Sequence, residues 1–107
     1  MIDKLEKFEF DGETEFKVET TFDGSGFSIA RISLRGINRL ARNDGCSTTY
    51  CIISGEGIMI IDGVEIELHP GDTVDVPQGA EYIDAGNFTA VAMSIPPFDE
   101  SKLTVIE

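Results

Sequence analysis

The sequence predicts an all-β protein, either a sandwich or a barrel, from three observations. Apolar residues recur with a period of two, and no helical stripe of useful length is present. Turn signals such as DGE, DGSG and NDG separate the short apolar runs. The 107 residues, 41% of them hydrophobic, suffice for one core. We therefore expect one domain, residues 1–107, built from roughly nine or ten short strands.

The first half of the chain supplies strands at FEF, EFKVETTF, FSIARISL, INRLA and TTYCIIS. Its segment RISLRGINRLAR places arginines at positions 31, 35, 39 and 42, which would line one face of a helix. Against a helix, Ile32 and Leu34 alternate with polar residues and Gly36 interrupts the run. Two strands with outward-facing arginines are the favoured interpretation.

A hairpin is the clearest element of the second half. In GIMIIDGVEIEL, Asp62-Gly63 supplies the positive φ angles of a tight turn between two strand-forming runs. Val64, Ile66 and Leu68 share one face, which we expect to reach the core. The runs TVDVP, AEYIDA and FTAVAMSI continue the series, and Pro96-Pro97 ends it.

Charge and hydropathy limit the partners and the location. The net charge of -12 repels the phosphates of nucleic acids and anionic membrane surfaces. No stretch approaches the roughly eighteen apolar residues of a membrane span, and the first residues show no apolar export segment. We expect a cytoplasmic protein with neither nucleic-acid nor membrane partners.

The two cysteines, Cys46 and Cys51, are predicted to be reduced thiols. If the intervening STTY is extended, their Cα atoms lie about 16 Å apart, beyond disulfide reach. No histidine stands beside either in a nucleophile arrangement. We expect both to be buried or half-buried small apolar residues.

A set of glycines and prolines carries a family resemblance. Gly71, Pro77 and Gly79 are spaced as in the second motif of the cupin superfamily, and Gly55 and Gly57 close the first. The segments LHPGD and SIPPFD also fit small bacterial members. The chain therefore resembles a small single-domain cupin over residues 30–98, preceded by N-terminal strands in residues 1–28. The resemblance implies a double-stranded β-helix, also called a jelly-roll barrel.

The same resemblance locates the positions at which metal-binding cupins carry two histidines, a glutamate and a third histidine. In this chain these positions are Arg42 with Asp44 (or Ala41 with Asn43), Thr48 and Tyr82. None of these side chains replaces imidazole as a ligand of a transition metal.

The single histidine of the sequence does not restore such a site. His69 lies in the turn before Pro70. We therefore expect no metal and no cofactor. A carboxylate site for a harder ion, built from Asp44, Glu81 or Asp84, stays an open alternative that no spacing requires.

The former ligand positions still converge on the mouth of such a barrel and define a candidate ligand site. Its predicted members are Arg42, Asn43, Thr48, Tyr50, Tyr82 and Asp84. The guanidinium suits a carboxylate or phosphate, and the others offer hydrogen bonds and an aromatic wall. Each also has an ordinary structural role: core aromatic for Tyr50, barrel plug for Tyr82, surface ion pair for Arg42 and solvated turn for Asp84.

Three functions remain open. The favoured one is metal-independent binding of a small molecule, a sugar or a carboxylate-bearing metabolite, inside the barrel. The alternative is a metal-free sugar epimerase or isomerase, in which Tyr82 is the acid and Asp84 the one available base. The third is a scaffold with a filled interior. We also expect a homodimer formed through the N-terminal strands.

Overall fold

The all-β prediction is confirmed by a computed structural model, which describes residues 14–107. The predicted strand FEF lies outside these residues. The described part contains eight strands: β1 Glu15–Asp23, β2 Ser28–Ile37, β3 Ala41–Asn43, β4 Ser47–Ile61, β5 Val64–Leu68, β6 Thr73–Val76, β7 Glu81–Ile95 and β8 Leu103–Val105. A 3₁₀ turn, Glu100–Lys102, precedes β8. No helix within residues 14–107 is long and apolar enough to cross a membrane.

Two long strands, β4 and β7, run through both layers of the fold. Each has fifteen residues, and they pair antiparallel along almost their whole length. The first half of β4 and the second half of β7 lie between β6 and β2, with β1 outside β2. The other halves lie between β5 and β3, with β8 outside β3. This arrangement of two layers sharing bent strands is a jelly roll.

The sequence divides β4 and β7 into two strands each, whereas the structure keeps each strand continuous. Gly55, with φ +86°, and Gly86, with φ +149°, adopt backbone angles that side chains disfavour. A Cβ on Gly86 would lie 2.4 Å from the carbonyl oxygen of Glu56. The glycines therefore mark bends inside strands rather than strand ends, and the structure has fewer, longer strands than predicted.

The predicted hairpin is confirmed at Asp62-Gly63, where both residues have positive φ, 47° and 83°. Its inward face is only partly as predicted: Leu68 is fully buried, Ile66 is half-buried and Val64 is 63% exposed. The tip of the hairpin therefore extends beyond the core. β7 ends at Ile95 before the prolines, but β8 follows them, which the sequence did not predict.

The core fills the space between the two layers. Its buried members are Ile32, Leu34, Tyr50, Ile52, Met59, Ile61, Leu68, Val74, Val76, Ala80, Phe88, Ala90 and Ala92, and Ile66 and Tyr82 pack against them. Arg31 and Arg35 are exposed on the opposite face of β2, as predicted. Both cysteines are free, which confirms the thiol prediction; Cys46 is buried, but Cys51 is exposed, contrary to expectation.

Candidate functional site

Four polar side chains face one another inside the barrel, and we call Cys46, Tyr50, Tyr82 and Asp84 the tyrosine–aspartate cluster. Tyr82 and Asp84 lie on the inner face of β7, where they pair with Ile61 and Met59 of β4. The hydroxyl groups of the two tyrosines lie close enough to affect each other's pKa through a hydrogen bond. The carboxyl and thiol groups lie close enough to raise the pKa of both tyrosines electrostatically.

Burial keeps both tyrosines in the neutral state. It raises the pKa of Tyr50 well above its usual value near 10, and the nearby Tyr82 and Asp84 raise it further. Burial and then Asp84 raise the pKa of Tyr82, while the hydrogen bond from Tyr50 lowers it. At neutral pH the pair therefore presents two O–H groups, each able to donate or accept a hydrogen bond.

Asp84 places a carboxyl group in the core, because it is only 3% exposed. Burial raises the pKa of its carboxyl group from 3.8 to about 6, although a hydrogen bond from the Asn38 side chain acts in the opposite direction. Its Oδ1 atom has no hydrogen-bond partner within residues 14–107. The interpretation of Asp84 as a solvated turn residue is therefore wrong.

Asn43 and Thr48, two further predicted site residues, also lie at this end of the barrel. Asn43 is buried; its Oδ1 accepts a 2.7 Å hydrogen bond from the Gly45 amide, and its Nδ2 has no partner among the described residues. The Thr48 hydroxyl lies 2.9 Å from that of Ser94 and 3.6 Å from the Cys46 sulfur. Asn43 thus offers an unused donor, whereas Thr48 already has partners.

Arg42 is separated from the other predicted site residues by the register of β3. Ala41 pairs with Tyr82 and therefore shares its inward side, whereas Arg42 pairs with Glu81 on the outer side. The Arg42 Nε atom lies 3.1 Å from Oδ1 of Asp44 in a half-exposed ion pair. The alternative role of Arg42, a surface ion pair, is the one observed, and we remove it from the ligand site.

The residues present do not fit the metal centre of three histidines and a glutamate that metal-binding cupins carry. His69 is exposed in the turn after β5, with Nδ1 3.4 Å from Asp72 and Nε2 3.9 Å from Glu67. In the part of the chain that is described, no three His, Cys, Asp or Glu side chains are grouped so as to hold a metal ion. The tyrosine–aspartate cluster has one carboxylate and no imidazole, which is a poor donor set.

A surface cleft of about 370 Å³ lies away from the tyrosine–aspartate cluster and shares no residue with it. The cleft is lined by Arg35, Gly36, Glu56, Gly57, Ile58, Glu67, Leu68, His69, Gly86 and Asn87. Its charged side chains are exposed and carry both signs. The sequence analysis did not predict this cleft, because its lining comes from four strands whose bends only the fold reveals.

Comparison with known proteins identifies the fold. No sequence-family model matches the chain, and no curated protein matches it. Solved structures do: Streptomyces Pac13, determined in a variant form with uridine, is 19% identical, with a TM-score of 0.78 over 96% of this chain and 88% of that one. An RmlC-like cupin protein from Desulfovibrio desulfuricans is 17% identical, with a TM-score of 0.67 over 78% and 85% of the two chains. This chain has the cupin fold.

A third cupin-fold neighbour is larger. The DMSP lyase DddQ from Ruegeria pomeroyi is 16% identical, with a TM-score of 0.75 over 85% of this chain but 51% of its own. Pac13 is described as a nucleoside dehydratase with a β-barrel. At such identities the cupin likeness establishes architecture alone, and the chemistry must be argued from the residues of this barrel.

Proposed function

We propose that this cupin binds a neutral, hydroxyl-bearing small molecule, such as a sugar or nucleoside, at the tyrosine–aspartate cluster without a metal. The observation that carries the proposal is the buried Asp84 carboxyl group, whose Oδ1 atom is unpartnered among the described residues beside two neutral tyrosine hydroxyls. A buried polar atom without a hydrogen bond is costly. A ligand hydroxyl donating to Oδ1 would remove that cost.

The charges in the barrel favour a neutral ligand over the carboxylate that the sequence left open. A carboxylate ligand required Arg42, which faces outward and pairs with Asp44. None of the groups that shift the pKa of Tyr50, Tyr82 or Asp84 is a cation. Above about pH 6 the ionised Asp84 would repel an anionic ligand.

Two atoms define how such a ligand would be oriented. The unpartnered Oδ1 of Asp84 is an acceptor and the unpartnered Nδ2 of Asn43 is a donor, both counted against residues 14–107. Tyr82 is less buried than Tyr50, so a ligand would reach the cluster from the side of Tyr82. A molecule with hydroxyl or carbonyl groups at both ends matches this pattern. The neighbour solved with uridine makes that nucleoside a sensible first probe.

Isothermal titration calorimetry with uridine, neutral monosaccharides and the matching sugar acids tests the proposal. We expect a neutral compound to bind and its acid counterpart to bind at least about tenfold more weakly. Tyr82→Phe should weaken binding by a similar factor, since it removes one hydroxyl. Arg42→Ala is the matched control and should leave affinity unchanged. Preferential binding of the acids, or a loss of binding with Arg42→Ala, would contradict the proposed site.

A second candidate is a metal-free isomerase or epimerase acting next to a carbonyl group, and the pKa of about 6 for Asp84 favours it. A carboxylate with this pKa can take a proton at neutral pH while a Tyr82 hydroxyl donates one. Proton NMR of a bound sugar in D₂O distinguishes the two functions. Exchange of the hydrogen next to the carbonyl that disappears in Asp84→Asn would establish catalysis; binding without exchange would leave a binding protein.

The remaining expectations stay predictions. A cytoplasmic location is checked by cell fractionation. The absence of nucleic-acid partners is checked by gel shift at low salt, where the charge of -12 should prevent binding.

A further inference from the structure

Asn38, in the segment that joins β2 to β3, extends the pairing of β2 with β7 by one position. Ile37 pairs with Ala85, and the Asn38 amide N–H donates a 2.9 Å hydrogen bond to the carbonyl oxygen of Asp84. Cross-strand neighbours present their side chains on the same face of a sheet. The Asn38 side chain therefore lies beside Asp84 on the face that carries the tyrosine–aspartate cluster, while Met59 of β4 lies on the other side of Asp84.

The orientation of the Asn38 amide group is fixed by the next residue. The Arg39 N–H donates a 2.9 Å hydrogen bond to Oδ1 of Asn38, so the side-chain oxygen is occupied and the NH₂ group is left for Asp84. Burial raises the pKa of the Asp84 carboxyl group, and a hydrogen bond from the Asn38 side chain lowers it. Because Oδ1 of Asp84 has no partner within residues 14–107, the contact with Asn38 falls on Oδ2.

In a neutral carboxyl group the oxygen without the proton is the better acceptor, so a fixed donor at one oxygen directs the proton to the other. We propose that Asn38 is a positioning residue that holds Oδ2 of Asp84 as an acceptor, so that Oδ1 alone gains and loses the proton. Oδ1 then accepts a hydrogen bond from a ligand when Asp84 is ionised and donates one when Asp84 is neutral. The part about a ligand rests on the proposed function; the part about the proton does not.

The groups around Asp84 do not compete with Asn38 for this role. The titratable side chains that face Asp84 among residues 14–107 are Tyr50 of β4 and Tyr82 of β7, with Cys46 close to both tyrosines. None of the three is a cation, and burial keeps both tyrosines neutral. The donors that favour the ionised carboxyl group are the Asn38 side chain and, after it, the backbone amide of Asp84 itself.

Carbon NMR of the Asp84 carboxyl group, in the full chain without ligand, tests the positioning role. Asn38→Ala keeps the backbone contact and removes the side-chain donor, so the midpoint of the Asp84 titration should rise by about one pH unit. Asn38→Asp keeps the acceptor for the Arg39 N–H and should raise the midpoint at least as much. Asn87→Ala, at an exposed asparagine of β7, is the matched control and should leave the midpoint unchanged. A loss of stability in Asn38→Ala without a change of the midpoint would overturn the proposal.

Calorimetry with uridine and its deoxyfluoro analogues, each with fluorine in place of one sugar hydroxyl, tests the part about a ligand. A hydroxyl group donates or accepts a hydrogen bond, whereas fluorine cannot donate. For the hydroxyl that meets Oδ1, the preference for uridine over the analogue should be at least about tenfold larger at about pH 8 than at about pH 5, and the increase should occur at higher pH in Asn38→Ala.

A preference that does not depend on pH for any hydroxyl would overturn the assignment of the proton to Oδ1. If no compound binds while the midpoint still moves in Asn38→Ala, the proposed function fails and the positioning role of Asn38 stands.

Discussion

The tyrosine–aspartate cluster and the surface cleft differ in what they offer a ligand. The cleft has about 370 Å³ of space, but its charged side chains are exposed to water and its glycines are explained by strand bends. The cluster sits in a packed core, yet it holds a buried carboxyl group with a raised pKa and an unpartnered oxygen among the described residues. Unsatisfied buried polar atoms, rather than open volume, therefore make the cluster the candidate ligand site.

The largest loss of stability is expected for a substitution of Gly86 in the cleft. It tests whether the cleft glycines are present because the strands bend there. In Gly86→Ala the new Cβ would lie 2.4 Å from the Glu56 carbonyl oxygen and 2.5 Å from the Gly57 Cα atom. Because both are backbone atoms, we expect a loss of about 3 kcal/mol or more in the free energy of unfolding. Urea denaturation measures it. Gly26→Ala is the control, since no atom lies within 4 Å of its Cβ position. Equal stability of the two variants would show that the cleft glycines are not required by the bends.

The second effect concerns Asp84 and depends on pH. Its pKa is raised in the folded state to about 6, so protonation favours folding. The favourable contribution is fully present below the unfolded pKa and is lost as the pH rises through about 6. Asp84→Asn removes this dependence. Relative to wild type, the variant should therefore gain about 2 kcal/mol between about pH 4 and about pH 7.

Glu56→Gln, the same type of change on an exposed carboxylate of the cleft, is the control for Asp84→Asn. As a surface substitution it should change the free energy of unfolding by less than about 0.5 kcal/mol. Urea denaturation across the pH range compares the three proteins. A constant difference between wild type and Asp84→Asn would mean that Asp84 is solvated and that the cluster is no more distinctive than the cleft.

A smaller loss of stability is expected for a substitution of Thr48 on the inner face of β4. Thr49, on the outer face of the same strand, provides the comparison. Its hydroxyl is 2.9 Å from the Ser94 hydroxyl in a part-buried contact, whereas the neighbouring Thr49 hydroxyl lies 3.2 Å from Asp75 in an exposed one. Thr48→Val should cost about 1 kcal/mol, and Thr49→Val less than about half of that. Thermal denaturation compares them. The reverse order would contradict the inward placement of Thr48.

Three members of the tyrosine–aspartate cluster could be predicted from the sequence, because side chains two residues apart on a strand lie on the same face. Tyr50, Tyr82 and Asp84 lie together as predicted, and Asn43 and Thr48 lie at the same end. Arg42 was misplaced because the spacing allowed two alignments one residue apart, and a shift of one residue reverses the face of a strand. Only the pairing of Ala41 with Tyr82 resolves this choice.

The residues that the sequence missed are those that act through tertiary contacts. Cys46 lies close to both tyrosines, Asn38 hydrogen-bonds to Asp84, and Ser94 contacts Thr48. Ser94 carried a usable signal, since it shares the inner face of β7 with Tyr82 and Asp84. β8 was missed because three residues, Leu103–Val105, are too short for a periodic pattern.

The most direct test of the account is an NMR titration of the Asp84 side-chain carboxyl carbon, without and with uridine or the sugar that binds most tightly. The account predicts a midpoint near pH 6 in the free protein and a displaced midpoint when the ligand donates a hydrogen bond to the carboxylate. A midpoint near 3.8 that no ligand moves would show an ordinary solvated aspartate and would contradict the proposed site.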